Sequence, residues 1–234
     1  MSPAPSGGGQ PGLDGPANEA SRRQALRERC AEYRSRLAGR DPYTLARCAA
    51  LGLRAPHDGE AGAEILLYGD CWGEAYTITW PRLEIAHAAG RPVELRTEAL
   101  WLHYLDRADG HPLTGRWVNL SEIGGLFYQQ AFQGYSGDEL AWAWGAEVDA
   151  LRGLCRAQGG WEVAGLGDMA FEWRALPRVP VCLCYRSPSE PAAAWATVLF
   201  DAASDHYVAA DVAAIVGKQL TDRLMPPASG GVLL

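Results

Sequence analysis

The apolar positions of this chain recur with two different periods. Between residues 19 and 37, Leu26, Cys30, Tyr33 and Leu37 fall on one helical face, which predicts a helix that Gly39 ends. Asp41-Pro42 reads as an N-cap followed by proline in the first turn, opening a short second helix that ends near Gly52. The period then changes to two. Glu64 to Tyr68 and Ala75 to Trp80 are strand-like, with Tyr76, Ile78 and Trp80 alternating, and GDCWG between them suits a hairpin turn. After a further short strand near Leu83 to Ala86, helical spacing returns from about Val93 to Asp106.

Trp117 to Leu120 reads as extended, followed by the less regular, aromatic-rich GGLFYQQAFQGY. A third long helix is expected over Asp138 to Ala157, where Leu140, Trp144, Val148, Leu151 and Cys155 keep helical spacing until Gly159-Gly160. Three strands follow at about Met169 to Ala175, Val179 to Tyr185 and Ala196 to Phe200. A last helix is expected to start at Asp211 as N-cap and to carry Val212, Ile215, Val216, Leu220 and Leu224 inward. This order is not a regular βαβ alternation, so it predicts an α+β fold with a largely antiparallel sheet. No repeat or low-complexity linker divides residues 18 to 224. A single domain is expected there, between a disordered leader (1 to 17) and a disordered tail (225 to 234).

Composition narrows the function classes. A chain of 234 residues that is 48% hydrophobic and 21% charged can bury a sizeable core. Its net charge of −7 and pI near 5.3 argue against nucleic acid as partner, which needs a basic face. MSPAPSGGGQPGLDGP has neither the cationic start nor the apolar core of a signal peptide, and no apolar run approaches the ~20 residues that span a bilayer. The expectation is a soluble, cytoplasmic protein, whose six cysteines are reduced.

The catalytic motifs are mostly negative results. There is no GxxxxGK[ST], HExxH, GxSxG or CxxC. GLGDMA fits G-x-G-x-x-A in form but runs into a strand where a dinucleotide site needs a helix. Cys182 and Cys184 share one side of a strand, either as half of a soft-metal site or as small buried apolar residues, and the second reading is preferred. No metal site is assigned.

Three features remain as candidates. On the helix from Val93, Arg96, Leu100, His103 and Arg107 form a stripe, so His103 is expected to be neutral between two cationic neighbours, suited to an anionic or metal-bound ligand or else to a backbone hydrogen bond. In the turn-rich DRADGHPLTG, Asp109 and His111 lie two apart and both can reach one ligand. Nine tryptophans include Trp142 and Trp144, about 200° apart on one helix, so one of them faces out. The first helix adds Arg22, Arg23, Arg27, Arg29, Arg34, Arg36 and Arg40, either a docking face for an anionic partner or a solvated face with Glu28 and Glu32 pairing along it.

HYLDRADGHPLTGRWVNLSEI, then GGLFYQQAF, LGDMAFEWRALPRVPVCLCY and VLFDAASDHY, are similar in order and spacing to a prokaryotic family known as a domain of unknown function, number 3786. The resemblance covers roughly residues 40 to 224. Some members of the family stand beside iron–sulfur modules of the kind found in corrinoid proteins, so the resemblance implies an accessory role, and corrinoid or haem only by that association. Between the strands of VCLCY and ATVLF the family tends to an acidic stretch, where this chain reads RSPSEPAAAW and keeps Glu190 and Pro191.

Three functions follow. The first is a ligand-binding or accessory module that receives an anionic or tetrapyrrole-like ligand, or a redox partner protein, using Arg96, His103, Arg107, Asp109, His111, Trp117, Arg178 and Glu190. The second is an enzyme with His103 as general acid or base, oriented by Asp106 or Asp109 and assisted by Arg107. The third is an interaction module acting through the arginine-rich first helix. The binding reading ranks first.

Overall fold

The computed structural model describes residues 16 to 56 and 64 to 226. Most of the expected leader and tail therefore lie outside the described residues, except that the first helix already begins at Pro16. The elements run α1 (Pro16–Leu37), α2 (Pro42–Cys48), β1 (Gly52–Arg54), β2 (Ile65–Cys71), β3 (Glu74–Trp80), β4 (Ile85–His87), α3 (Leu95–Arg107) and β5 (Trp117–Val118). After a 3-10 turn (Leu120–Ile123) come α4 (Gln129–Gln133), a π turn (Gly134–Asp138), α5 (Glu139–Trp144), α6 (Val148–Ala157), β6 (Trp161–Glu162), β7 (Met169–Leu176), β8 (Val179–Arg186) and β9 (Trp195–Asp201). A second 3-10 turn (Ser204–His206) leads into α7 (Ala210–Leu224).

The fold is α+β, with two wholly antiparallel sheets ordered β1-β2-β3-β4 and β5-β9-β8-β7-β6. In the second sheet β8 is central and buried on both faces from Val179 to Tyr185, which explains its almost unbroken apolar sequence. Cys182 and Cys184 are buried there, and burial pushes both thiols up, as expected of small core residues. The two sheets meet at a hairpin tip. Trp72 and Gly73 both adopt positive φ, as a two-residue turn between right-twisted strands requires. Trp72 then reaches out of the hairpin: its N–H donates to the Ala175 carbonyl of β7 (3.2 Å), its indole N–H to Gln219 of α7 (3.0 Å), and Arg223 lies over its ring at 4.3 Å.

One contiguous core takes residues from Cys30 to Leu224. α1 runs alongside α3 in the same direction, held by Arg34 to Glu98 (2.5 Å), Arg36 to Asp106 (2.8 Å) and Arg40 to Asp106 (3.4 Å). No described helix is long and apolar enough to cross a membrane.

Several expectations need correction. The long helix over Asp138 to Ala157 is two helices, because Gly145 takes φ 49° and ψ −114°, a conformation open to glycine, and ends α5 there. Both tryptophans stand in α5 before the break, and their spacing alone separates them: Trp142 is 87% exposed, whereas Trp144 is half-buried and donates to the Leu224 carbonyl (2.7 Å). The irregular GGLFYQQAFQGY contains α4 and passes through the π turn into α5. Asp211 is not the N-cap of α7, a place taken by Ala209; its carboxylate accepts the Val212 N–H inside the first turn. The short strands β1 and β6 carry too few residues for a periodic signal and were not expected.

Candidate functional site

His103 sits in the middle of α3, where every residue from Ala99 to Leu105 is buried. Only 7% of it is exposed, because α1 covers its stripe. Its Nε2 accepts the Ala209 N–H (3.0 Å), so the proton of the neutral ring is on Nδ1, which donates to the Tyr33 hydroxyl (2.7 Å). Burial first, and the Arg107 charge second, bring its pKa down from 6.5 to about 4. The ring is thus neutral, mainly because it is buried and secondly because of Arg107, with Arg96 taking no part, and both nitrogens are committed to holding α1 and the start of α7 against α3. Asp106 turns away from it to Arg36 and Arg40. Arg96 is exposed on the first turn of α3, about 10 Å along the axis from His103 by helical rise.

Two loops beyond α3 carry a denser arrangement. Residues 108 to 116 and 201 to 207 are laced together through Asp201, a carboxylate only 2% exposed. It accepts the Thr114 N–H (3.1 Å), the Thr114 hydroxyl (3.0 Å), the Gly115 N–H (2.7 Å) and the Ala203 N–H (2.8 Å). Trp117 stands opposite Asp201 in the β5–β9 pairing, and Ala202 donates to the Arg116 carbonyl (2.9 Å). The lacing continues outward. Arg107 donates to the Asp205 carbonyl (2.6 Å), and the His111 carbonyl accepts from both the Tyr207 hydroxyl and Arg178 (3.3 Å).

On this frame two imidazoles stack. The rings of His111 and His206 lie 3.9 Å apart and within 16° of parallel. Asp109 holds both residues, accepting the His111 N–H on Oδ1 (2.8 Å) and His206 Nδ1 on Oδ2 (2.6 Å). Burial works against the Asp109 carboxylate, but the bonds from His206 and from the His111 backbone outweigh it and hold the group below its ordinary range. His111 Nδ1 faces the Pro112 carbonyl (2.9 Å). A carboxylate and a carbonyl only accept, so each Nδ1 carries a proton and each neutral ring keeps its lone pair on Nε2. Neither Nε2 has a hydrogen-bond partner among the described residues. The Nε of Arg178 is likewise without a partner, although buried.

Of the sequence candidates, Arg107, Asp109, His111 and Arg178 come together here with Trp117 at the edge. His103 stands behind them in the core, and Arg96 and Glu190 lie elsewhere. No sequence motif marks Tyr207, and the only local signal for His206 is an aspartate beside a histidine in a turn, Asp205-His206, loosely like Asp109-Gly110-His111. Arg34 and Arg36 of α1, with Arg40 just beyond its end, pair with α3, and Arg29 pairs with Glu32.

Among the described residues no three histidine, cysteine, aspartate or glutamate side chains are grouped to hold a metal ion. A corrinoid or haem needs an apolar slot for its macrocycle in addition to an imidazole. Around these imidazoles Asp109, Pro112, Thr114, Gly115 and Arg116 are exposed, a mostly polar surface, so the face does not fit a tetrapyrrole.

A family model described as a domain of unknown function, DUF3786, matches residues 44–223, a span that starts inside α2, ends inside α7 and includes both laced loops. No curated protein and no solved structure matches the chain.

Proposed function

The chain belongs to the DUF3786 family, and from that premise we propose that it is a ligand-binding module whose binding face is the laced pair of loops, receiving a small oxyanion on His111 and His206. The observation that carries this reading is that Asp109 and the Pro112 carbonyl take both Nδ1 atoms, so each of two rings stacked 3.9 Å apart keeps an Nε2 with no partner among the described residues. A neutral Nε2 accepts from the O–H of a protonated oxyanion, and a protonated Nε2 donates to its charged oxygen. One imidazolium beside one imidazole therefore matches a singly protonated phosphate or phosphate monoester, with Arg107 and Arg178 supplying positive potential nearby. A pair that holds one imidazolium carries one proton more than two neutral rings, so binding is coupled to proton uptake and is stronger at the lower pH.

Titration calorimetry with inorganic phosphate at pH 6 and pH 8, in two buffers of different ionisation heat, tests this. Saturable binding with proton uptake, lost in His206→Ala and in His111→Ala, is expected. Absence of binding at both pH values, or binding indifferent to both substitutions, would overturn it. The short Asp109–His206 bond also favours a second reading, an acid–base enzyme, whose base is then His206 and not His103. Turnover of a bound phosphate ester that His206→Gln abolishes without weakening binding would distinguish it.

A further inference from the structure

The other end of the large sheet holds a separate cavity of about 620 Å3, between the end of β8, the start of β9 and the turn before β7. It lies roughly 20 Å from the laced loops, since Trp195 and Asp201 are six residues apart on β9 at about 3.3 Å per residue. Its volume is in the range that small-molecule sites occupy.

Arg186 and Trp195 face each other across the β8–β9 pair, with the guanidinium 5.5 Å from the indole centroid. Trp195 is 42% exposed and lines the cavity, so its ring is reachable from it. Arg186 has no hydrogen-bond or ion-pair partner among the described residues, so its donors face the cavity and solvent uncommitted. The opposite wall is fixed. Asp168 donates its N–H to the Tyr185 carbonyl (2.9 Å) and accepts the Ser187 N–H on Oδ2 (2.8 Å), and a Cβ at Gly167 would meet the Tyr185 carbonyl oxygen at 2.5 Å. Only glycine, here at φ 57°, lets that turn close against β8. Ala192 and Ala193 keep the remaining side open by their size. Glu190 belongs to the same loop.

We infer that this cavity is a second binding site, for a planar aromatic ligand that carries an anionic group. The aromatic ring stacks on Trp195, where the indole face is already used by a cation and gains from a second flat surface. The anionic group takes the free edge of Arg186, whose planar fork suits a carboxylate or phosphate. The other oxygen of Asp168 and the hydroxyls of Ser187 and Ser189 accept from or donate to hydroxyl groups on the ligand.

A nucleoside monophosphate and a hydroxylated aromatic acid share this chemistry, and calorimetry on the full chain separates them. Adenosine monophosphate and 4-hydroxybenzoate are the probes; adenosine and inorganic phosphate each supply half of the recognised chemistry. Saturable binding of either probe is expected, weakened at least tenfold in Arg186→Gln and in Trp195→Ala, with adenosine at least tenfold weaker than adenosine monophosphate. Both side chains reach solvent, and circular dichroism confirms that each variant is folded; Trp195→Phe, which keeps a ring, should retain part of the affinity. Because phosphate is also proposed to bind the laced loops, the measurement is repeated in His206→Ala. Binding of the probe that survives there, and that Arg186→Gln weakens, belongs to this cavity. If neither probe binds, or if Arg186→Gln and Trp195→Ala leave affinity unchanged, the inference is wrong, whatever the outcome at His206.

Discussion

His103 Nδ1 and the Tyr33 hydroxyl meet at 2.7 Å across 70 residues of sequence, and the rings cross edge to face at 79°. This one contact turns a stripe on α3 into an internal seam, with the Ala209 N–H closing the other side of the imidazole. The neutral ring is required by the seam, because protonating Nε2 would replace an acceptor by a donor that faces another donor.

The seam makes stability depend on pH in a definite direction. The His103 pKa is about 4 in the folded chain against 6.5 for a free imidazole, so the unfolded chain binds the proton first on acidification. Its contribution is complete above pH 6.5, declines as pH falls from 6.5 towards 4, and is constant below that. The shift corresponds to about 3 kcal/mol in total, of which about 2 kcal/mol is lost by pH 5. Urea unfolding at pH 7 and pH 5 measures it; His103→Gln should be less stable at pH 7 and should flatten this part of the profile.

A second prediction concerns the lacing. Asp201 satisfies four donors with two oxygens, and asparagine at the same place turns one oxygen into an NH2 that confronts donors. Asp201→Asn should cost roughly 2 to 4 kcal/mol, the scale of leaving two buried donors unpaired. Thermal unfolding reads the loss, and limited proteolysis should show residues 108 to 116 cut faster than in the parent chain.

What the sequence could and could not disclose follows from the range of each signal. The apolar runs of α3 and β8 and the alternation of β7 are local, and all three elements form where the pattern puts them. The cover over His103 is not local: Tyr33 belongs to α1, and nothing in the spacing of either helix says which faces will meet. The interruption at Gly145 was hidden because Trp144, Val148 and Leu151 keep helical spacing across it, and a lone glycine inside such a pattern is usually tolerated. The pairing of Asp109 with His206 was hidden for the same reason as the seam. The two motifs that carry them are 97 residues apart and join only because β5 pairs with β9.

Gly217 gives a prediction in which two effects oppose. In the interior of α7, alanine has the better helix propensity by about 1 kcal/mol. A Cβ there would lie 2.5 Å from Phe132 and 3.2 Å from Phe200, rings buried in the core that have nowhere to move. Overpacking of this kind costs typically 1 to 3 kcal/mol, so Gly217→Ala should be destabilising overall. A melting temperature equal to or above that of the parent chain would show that α4 gives way more easily than its packing implies.

The last prediction separates the binding face from a merely structural Asp109. In the parent chain the carboxylate holds the His206 proton on Nδ1, so nitrogen NMR at high pH should find His206 as the Nδ1–H tautomer, with His111 in the same form through the Pro112 carbonyl. Asp109→Asn keeps the shape of the side chain and can still accept the His111 N–H on its oxygen, which then turns the NH2 towards His206. An NH2 there asks for an acceptor, so the His206 proton moves to Nε2 and the outward lone pair is lost. Phosphate that used that lone pair should bind about tenfold more weakly, the equivalent of one hydrogen bond of about 1.4 kcal/mol, while the fold is retained. A purely structural Asp109 would instead lower the melting temperature and leave phosphate affinity unchanged, so the two measurements on one variant decide between the roles.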